Sequence, residues 1–281
     1  MSVKITADST GDLSPALCQK YNITVAPLSV IVDGQVYKDG AGITAAEIFA
    51  AADAGKSVKT AAVNRYEYEE LFSALLKKYG QVVHICMSGA MSSCYSDACE
   101  AAEAVGNVYV VDSRSLSTGT GMLALKAAEM AREGADAPAI AEALRGMTDL
   151  VCASFTVRDI DYLRRGGRCG GLAAMGAKLM HIRPSIEVKN GGMLPGRKYR
   201  GSYEHYLKHY MDDLFEEVPD PDPARVFVTH SPCDDGMAEF ATEYLRASGR
   251  FEEVLETDAG ATVCVHCGPN TLGVLFMRKH A

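Results

Sequence analysis

Hydroxyl side chains gather where strand-like runs hand over to helix-like runs in the first half of this sequence. Asp8, Ser9 and Thr10 follow the run Val3–Ala7, and Thr60 precedes a helix that opens at Asn64. Ser88, Gly89, Ala90, Met91, Ser92 and Ser93 follow Val82–Met87, and Asp112 with Ser113 follows Val108–Val111. In a parallel sheet such junctions collect outside the carboxyl ends of the strands, where these folds bind ligands. Helix N-termini there add free N–H groups and a positive dipole end. Uncharged donors around a dipole end suit a monoanion such as a carboxylate. The competing reading makes the same residues plain helix caps and turns.

Two further segments carry reactive side chains. Arg164–Arg168 holds three arginines around Gly166 and Gly167, where a backbone can approach an anion or a partner chain. The alternative is a helix end closed by Gly166, with arginines facing the negative end of the dipole. Cys264, His266 and Cys267 evoke zinc, but no second pair with ligand spacing exists, so no metal is expected. His266 is instead a candidate donor on a predicted strand over 262–266. Gly119–Ala124 matches a dinucleotide fingerprint loosely but falls inside a predicted helix, which argues against a nucleotide-binding module. No phosphate loop or nucleophile elbow occurs, so a Ser/His hydrolase using Ser92 or Ser93 with His266 is the weaker alternative.

The elements that would position these groups follow from patterning. Ser14-Pro15, Thr44–Glu47 and Asn64–Glu67 are helix starts, the last two as capping boxes. Helices are also expected over 92–105 and 116–133, the latter closed by Gly134. Strands alternating with such helices predict βαβ units and a parallel sheet over 1–150. Thr24–Val32 and Gln35–Lys38 flank the hairpin signal Asp33-Gly34. Residues 151–281 read as an α+β domain. Strands near 151–156, 185–189, 193–198, 226–229, 252–257, 262–266 and 272–277 predict an antiparallel sheet. Helices over 203–218 and 235–247 would cover one face, and a helix is allowed over 157–165. The acidic Pro219–Pro223 reads as a rigid loop.

Composition narrows the function. With 28 Lys and Arg against 36 Asp and Glu, the formal charge is −8, which disfavours nucleic acid as a partner. A hydrophobic share of 48% in 281 residues supports a sizeable core and excludes wholesale disorder. No apolar run is long enough to span a bilayer, so any membrane contact would be transient. The N-terminus lacks the pattern of a signal peptide. Nine cysteines without framework spacing read as free thiols in a cytoplasmic protein. A monomer is the default expectation.

At these residues the chain resembles the DegV family of bacterial fatty-acid-binding proteins. The resemblance rests on Asp8–Leu13, Val111–Ser117 with Gly121, Tyr162–Arg168, Ile182–Pro184 and Val265–Pro269, in order and spacing over essentially the whole length. It implies a parallel-sheet α/β domain followed by an antiparallel domain that closes over an acyl chain. It implies a long-chain fatty acid as ligand, no cofactor, and no catalysis by this chain itself. The carboxylate would be presented to a separate fatty acid kinase related to dihydroxyacetone kinases, which makes an acyl phosphate. The family's carboxylate-binding threonine corresponds to Thr60 and its serine to Ser92. Two segments depart from the family pattern: Thr60–Asn64 lacks its proline, and Ser88–Tyr95 replaces several of its polar and turn residues. Ser9, Asn64, Ser88, Gly89 and Ser93 join the expected ligand shell, with Arg168 and His266 as polar or partner-facing groups.

Overall fold

A computed structural model describes residues 2–168 and 182–279. Cys169, Gly170 and Gly171, the end of the glycine-rich run, lie outside the described residues.

Strands β1 (Val3–Asp8), β2 (Ile23–Ala26), β6 (Gln81–Cys86) and β7 (Val108–Asp112) form a four-stranded parallel sheet in the order β2-β1-β6-β7. Side chains alternate across it. Ile5, Ala7, Val83 and Ile85 enter one core with helices α5 (Thr118–Arg132) and α6 (Ala137–Met147). Val82 and Cys86 enter another with α3 (Arg65–Leu76) and α4 (Cys94–Val105). Helix α6 was not among the expected elements, although Asp136 caps it and Pro138 sits in its first turn.

The expected strand over 24–32 is two strands. Pro27 lacks the N–H a ladder needs. After it the chain leaves the parallel sheet and starts β3 (Ser29–Val32), which pairs with β4 (Gln35–Lys38) and β5 (Val58–Ala61) in a separate antiparallel sheet. Asp33 and Gly34 turn the hairpin with φ of 47° and 86°, the two positive values such a turn requires. Strand β5 is short, which hides it in the sequence, and it carries Thr60 opposite Val30.

The second half builds a six-stranded sheet in the order β10-β9-β8-β13-β11-β12. Its strands are β8 (Val151–Thr156), β9 (Arg183–Lys189), β10 (Gly192–Tyr199), β11 (Pro221–His230), β12 (Glu253–Asp258) and β13 (Leu272–Arg278). The ladders are antiparallel except β11 with β12, which is parallel. Helix α9 (Met237–Ser248) makes that crossover, and a parallel pair needs one. The segment at Pro219–Pro223, expected as a loop, enters β11 at its edge from Pro221. Of the helix allowed over 157–165, only α7 (Asp161–Arg165) forms.

The stretch 262–266 is also not a strand. It belongs to helix α10 (Ala261–Cys267). Short apolar runs fit either state by periodicity alone. Distant carboxylates decide it: Asp12 Oδ1 accepts the Gly260 N–H at 2.8 Å, and Asp39 Oδ1 accepts the Thr262 N–H at 3.4 Å. Both satisfy amides at the start of the helix.

Helices α8 (Tyr203–Glu217) and α9 cover one face of the six-stranded sheet. The other face, through Ala153, Phe155, Ile186, Val188, Phe227 and Leu275, shares a core with α5 and the four-stranded sheet. Every residue of α5 from Thr118 to Leu125 is buried. Small residues let it pass: a Cβ built at Gly121 would stand 2.5 Å from the Gly11 carbonyl oxygen and 2.8 Å from Leu13 Cδ2. Gly121→Ala is therefore expected to destabilise the chain by about 1–3 kcal/mol. A urea midpoint unchanged from the parent would show that α5 has room to shift.

Candidate functional site

The chain leaves the parallel sheet through Thr10, Met87, Met91 and Leu116, just past the strand ends, and these residues wall a cavity of about 210 Å³. Phe155 of β8, Leu275 of β13 and Leu163 of α7 close it from the other side. Its wall is mostly apolar, with one concentrated polar group: Thr60, Ser92, Ser93, Arg168 and His266.

Four elements hold that group. Thr60 stands on β5 and His266 on the last turn of α10, and Thr60 Oγ1 lies 2.8 Å from His266 Nε2. Burial, with Arg168 nearby, pushes the imidazole down to about 4, so it is neutral at pH 7. Its Nδ1 has no hydrogen-bond partner among the described residues. Arg168 is fixed by two backbone carbonyls: Nε donates to Met91 O at 3.2 Å and Nη1 to Gly166 O at 2.6 Å. Ser92 and Ser93 precede α4. Ser92 Oγ accepts the Cys94 N–H at 3.2 Å, and Ser93 makes no side-chain cap. The positive end of α4 thus opens beside the arginine, and both favour an anion.

The same polar group faces outward. A second groove, of about 340 Å³, shares Thr60, Arg168 and His266 with the cavity and adds Lys56, Lys59 and Arg165. In a chain of net charge −8 this is a local concentration of positive charge. Thr60, His266 and Arg168 therefore form a partition between an apolar cavity and a basic groove.

Four of the sequence candidates lie elsewhere. Ser9 Oγ donates to Asp39 Oδ2 at 2.8 Å and accepts the Leu28 N–H at 3.1 Å. Asn64 caps α3, accepting the Glu67 N–H at 3.1 Å. Ser88 Oγ donates to Gly191 O at 2.7 Å, and the Gly89 N–H donates to Asp112 Oδ1 at 3.2 Å. None of the four lines the cavity. Six further hydroxyls do: Thr10, Ser117, Thr229, Ser231, Thr262 and Thr271, and of these Thr10 and Thr262 are buried with no partner for Oγ1 among the described residues. Thr10 was visible as the neighbour of Ser9. Thr262 was not, because its segment reads as a strand. Asp8, His84 and Cys86 lie close enough together to suggest metal ligands. They are already engaged: Tyr68 Oη donates to Asp8 Oδ1 at 2.6 Å, and Thr6 Oγ1 meets His84 Nδ1 at 2.8 Å.

Comparison with known proteins bears on this arrangement. The profile of the family described as "Uncharacterised protein, DegV family" matches residues 2–279. A DegV domain-containing protein of Deinococcus radiodurans is 31% identical over 284 residues, covering 98% of each chain. The chain belongs to the DegV family. Among solved DegV structures, one described as fatty acid binding of a DegV family protein from Thermus thermophilus has a TM-score of 0.90 at 28% identity. It covers 99% of this chain and 100% of that one. DegV, a fatty acid binding protein from Bacillus subtilis, has a TM-score of 0.84 at 26% identity, covering 99% of this chain and 100% of that one. A stearic acid-binding protein from Eubacterium ventriosum has a TM-score of 0.85 at 26% identity, with 99% and 98% covered. The DegV fold thus matches the expected pairing of a parallel sheet with a largely antiparallel one. Among the described residues no helix is long and apolar enough to cross a membrane.

Proposed function

We propose that this chain is a cytoplasmic carrier of a long-chain fatty acid, with its carboxylate at Thr60 and Ser92. The observation that carries this reading is the partition itself. An apolar cavity ends on two hydroxyls, a neutral imidazole and an anchored arginine, and a basic groove lies beyond them. The solved DegV relatives described as fatty-acid-binding support the same ligand class.

The energetics are favourable. An acyl chain of about sixteen carbons, at ~0.8 kcal/mol per buried CH₂, gives ample gross affinity. The polar groups then mainly fix orientation. In this reading the halves 1–150 and 151–281 close over the chain, since residues from both line the cavity. Ser93, Arg168 and His266 complete the shell, while Ser9, Asn64, Ser88 and Gly89 support the loops behind it.

The basic groove is where a partner would reach the carboxylate. We assign that partner to a kinase related to dihydroxyacetone kinases, which forms an acyl phosphate while this chain performs no chemistry. The hydrolase alternative needs a base beside Ser92 or Ser93, and His266 Nε2 is engaged by Thr60 instead.

Solvent extraction of the purified protein followed by mass spectrometry should release a long-chain fatty acid. Absence of one, together with failure to bind added palmitate or oleate, would sink the proposal. Thr60→Val and Ser92→Ala should each weaken palmitate binding by roughly 1.5 kcal/mol, read by titration calorimetry. Unaltered affinity in both would move the carboxylate elsewhere. With the kinase and ATP, the loaded protein should yield an acyl group that hydroxylamine traps as a hydroxamate.

A further inference from the structure

Helix α10 carries the sequence Cys264-Val265-His266-Cys267, so its two cysteines stand three residues apart on one face. In an α-helix that spacing sets the Cα atoms about 5 Å apart, inside the range a disulfide spans. Both thiols are free and buried. They differ in outlook. Cys267 lines the apolar cavity. Cys264 is turned toward Val30, Ile48 and Phe49, and its Sγ donates to Ala259 O at 3.3 Å. The neighbouring Cys267 thiol, with burial, pushes the Cys264 thiol well above its ordinary value, so it suits the resolving role rather than first attack.

We propose that Cys264 and Cys267 are a redox-active dithiol that a hydroperoxide entering the cavity converts to a disulfide. Cys267 Sγ attacks the terminal peroxide oxygen. The O–O bond breaks, the alcohol leaves with a proton, and Cys267 becomes a sulfenic acid. Cys264 Sγ then displaces its hydroxyl as water and forms the S–S bond. Two thiols are oxidised by two electrons, and one peroxide is reduced, an acyl hydroperoxide to an alcohol and water and hydrogen peroxide to two waters. The peroxide is either free hydrogen peroxide or the hydroperoxide of a long-chain acyl ligand.

The pair acts on the ligand site through His266, which lies between its members. Cβ atoms three residues apart on a helix are about 5–6 Å apart, whereas a disulfide holds them near 3.8 Å. Closure must therefore pull the last turn of α10 inward. That turn holds His266 Nε2 2.8 Å from Thr60, and it abuts Gly166 and Tyr162 with no slack. Oxidation should displace the imidazole and weaken carboxylate binding about tenfold. This last consequence rests on the fatty-acid reading, whereas the disulfide itself does not.

The test is peptide mass spectrometry of the full chain after reduction, oxidant treatment and alkylation. One arm uses stoichiometric hydrogen peroxide and the other a long-chain fatty acid hydroperoxide. The expected result is a Cys264–Cys267 disulfide in at least one arm, reversed by dithiothreitol. Formation only with the acyl hydroperoxide assigns delivery to the cavity, and formation with both assigns it to peroxide in general. In Cys264→Ala, dimedone should label Cys267 after the same treatment. Both thiols remaining alkylatable in both arms overturns the proposal. So does pairing of either with another cysteine, or oxidation of Cys267 to a sulfonic acid with Cys264 untouched. Palmitate affinity of the oxidised and reduced protein is measured separately, so loss of the ligand reading leaves the disulfide result standing.

Discussion

Gly166→Ala is expected to lower affinity for a long-chain carboxylate on the order of a hundredfold while the protein stays folded. Gly166 closes α7 at φ −72°, ψ −8°, a conformation any residue adopts, so alanine adds no backbone strain. Its Cβ, however, would fall 2.0 Å from His266 Nδ1. The ring cannot remain there. Moving it breaks the contact with Thr60 Oγ1 and leaves that hydroxyl without its partner beside the ligand. Two polar groups of the partition are lost together, and each is worth a kcal/mol or more when buried. Calorimetry with palmitate, alongside circular dichroism and a urea midpoint, separates this from misfolding. Affinity within twofold of the parent, in a variant that folds normally, would mean that the imidazole takes no part in holding the ligand.

The second large effect concerns stability. Asp12 is buried, its Oδ1 accepting the Gly260 N–H and its Oδ2 the Ser117 hydroxyl at 2.5 Å. Burial lifts its carboxyl from 3.8 to about 7, with Asp39 and Asp258 adding to the rise and the two hydrogen bonds opposing it. The folded chain thus holds a proton that the unfolded chain releases near pH 4. This contribution to stability is full below pH 4 and is lost as pH rises through 7. Across that interval the loss is on the order of 4 kcal/mol at about 1.4 kcal/mol per unit. Asp12→Asn removes the titration. The amide oxygen can keep the Gly260 bond, and asparagine accepts the positive φ of 48° at this position. The variant should exceed the parent in stability by a few kcal/mol at pH 8 and match it near pH 4. His266 contributes the opposite slope, because its depressed value means stability is lost as pH falls from 6.5 through 4. That term is common to both proteins and cancels. Parallel urea-denaturation profiles from pH 4 to 8 would show that Asp12 is not the source of the pH dependence.

Much of this was readable from residue types. Helix caps at Thr44 and Asn64 are local chemistry, and both form as capping boxes. The Asp33-Gly34 turn is equally local. Ser92 and Ser93 reach the cavity because they follow β6 at the shared carboxyl edge of the parallel sheet, whereas Thr60 comes from the separate antiparallel sheet, Arg168 from just past α7 and His266 from α10. The misread parts depend on long-range partners. Helix α10 exists because Asp12 and Asp39, more than two hundred residues away, accept its first amides. Ser9 and Thr10 are neighbours in one turn, and only the tertiary fold aims Thr10 at the cavity while Asp39 claims Ser9. The parallel pairing of β11 with β12 follows from α9, whose role as a crossover is visible only in the assembled sheet.

Helix α5 is sheathed by sheet on both sides, and this has a consequence for how the molecule can be taken apart. The wall that Phe155, Ile186, Phe227 and Leu275 present shares its core with α5 and the four-stranded sheet. A polypeptide ending near residue 150 would leave the far side of α5 bare, and the complementary fragment would expose that apolar wall to water. Two sheets of distinct topology are thus bound into one cooperative unit. Neither half is expected to fold as a stable unit without the other.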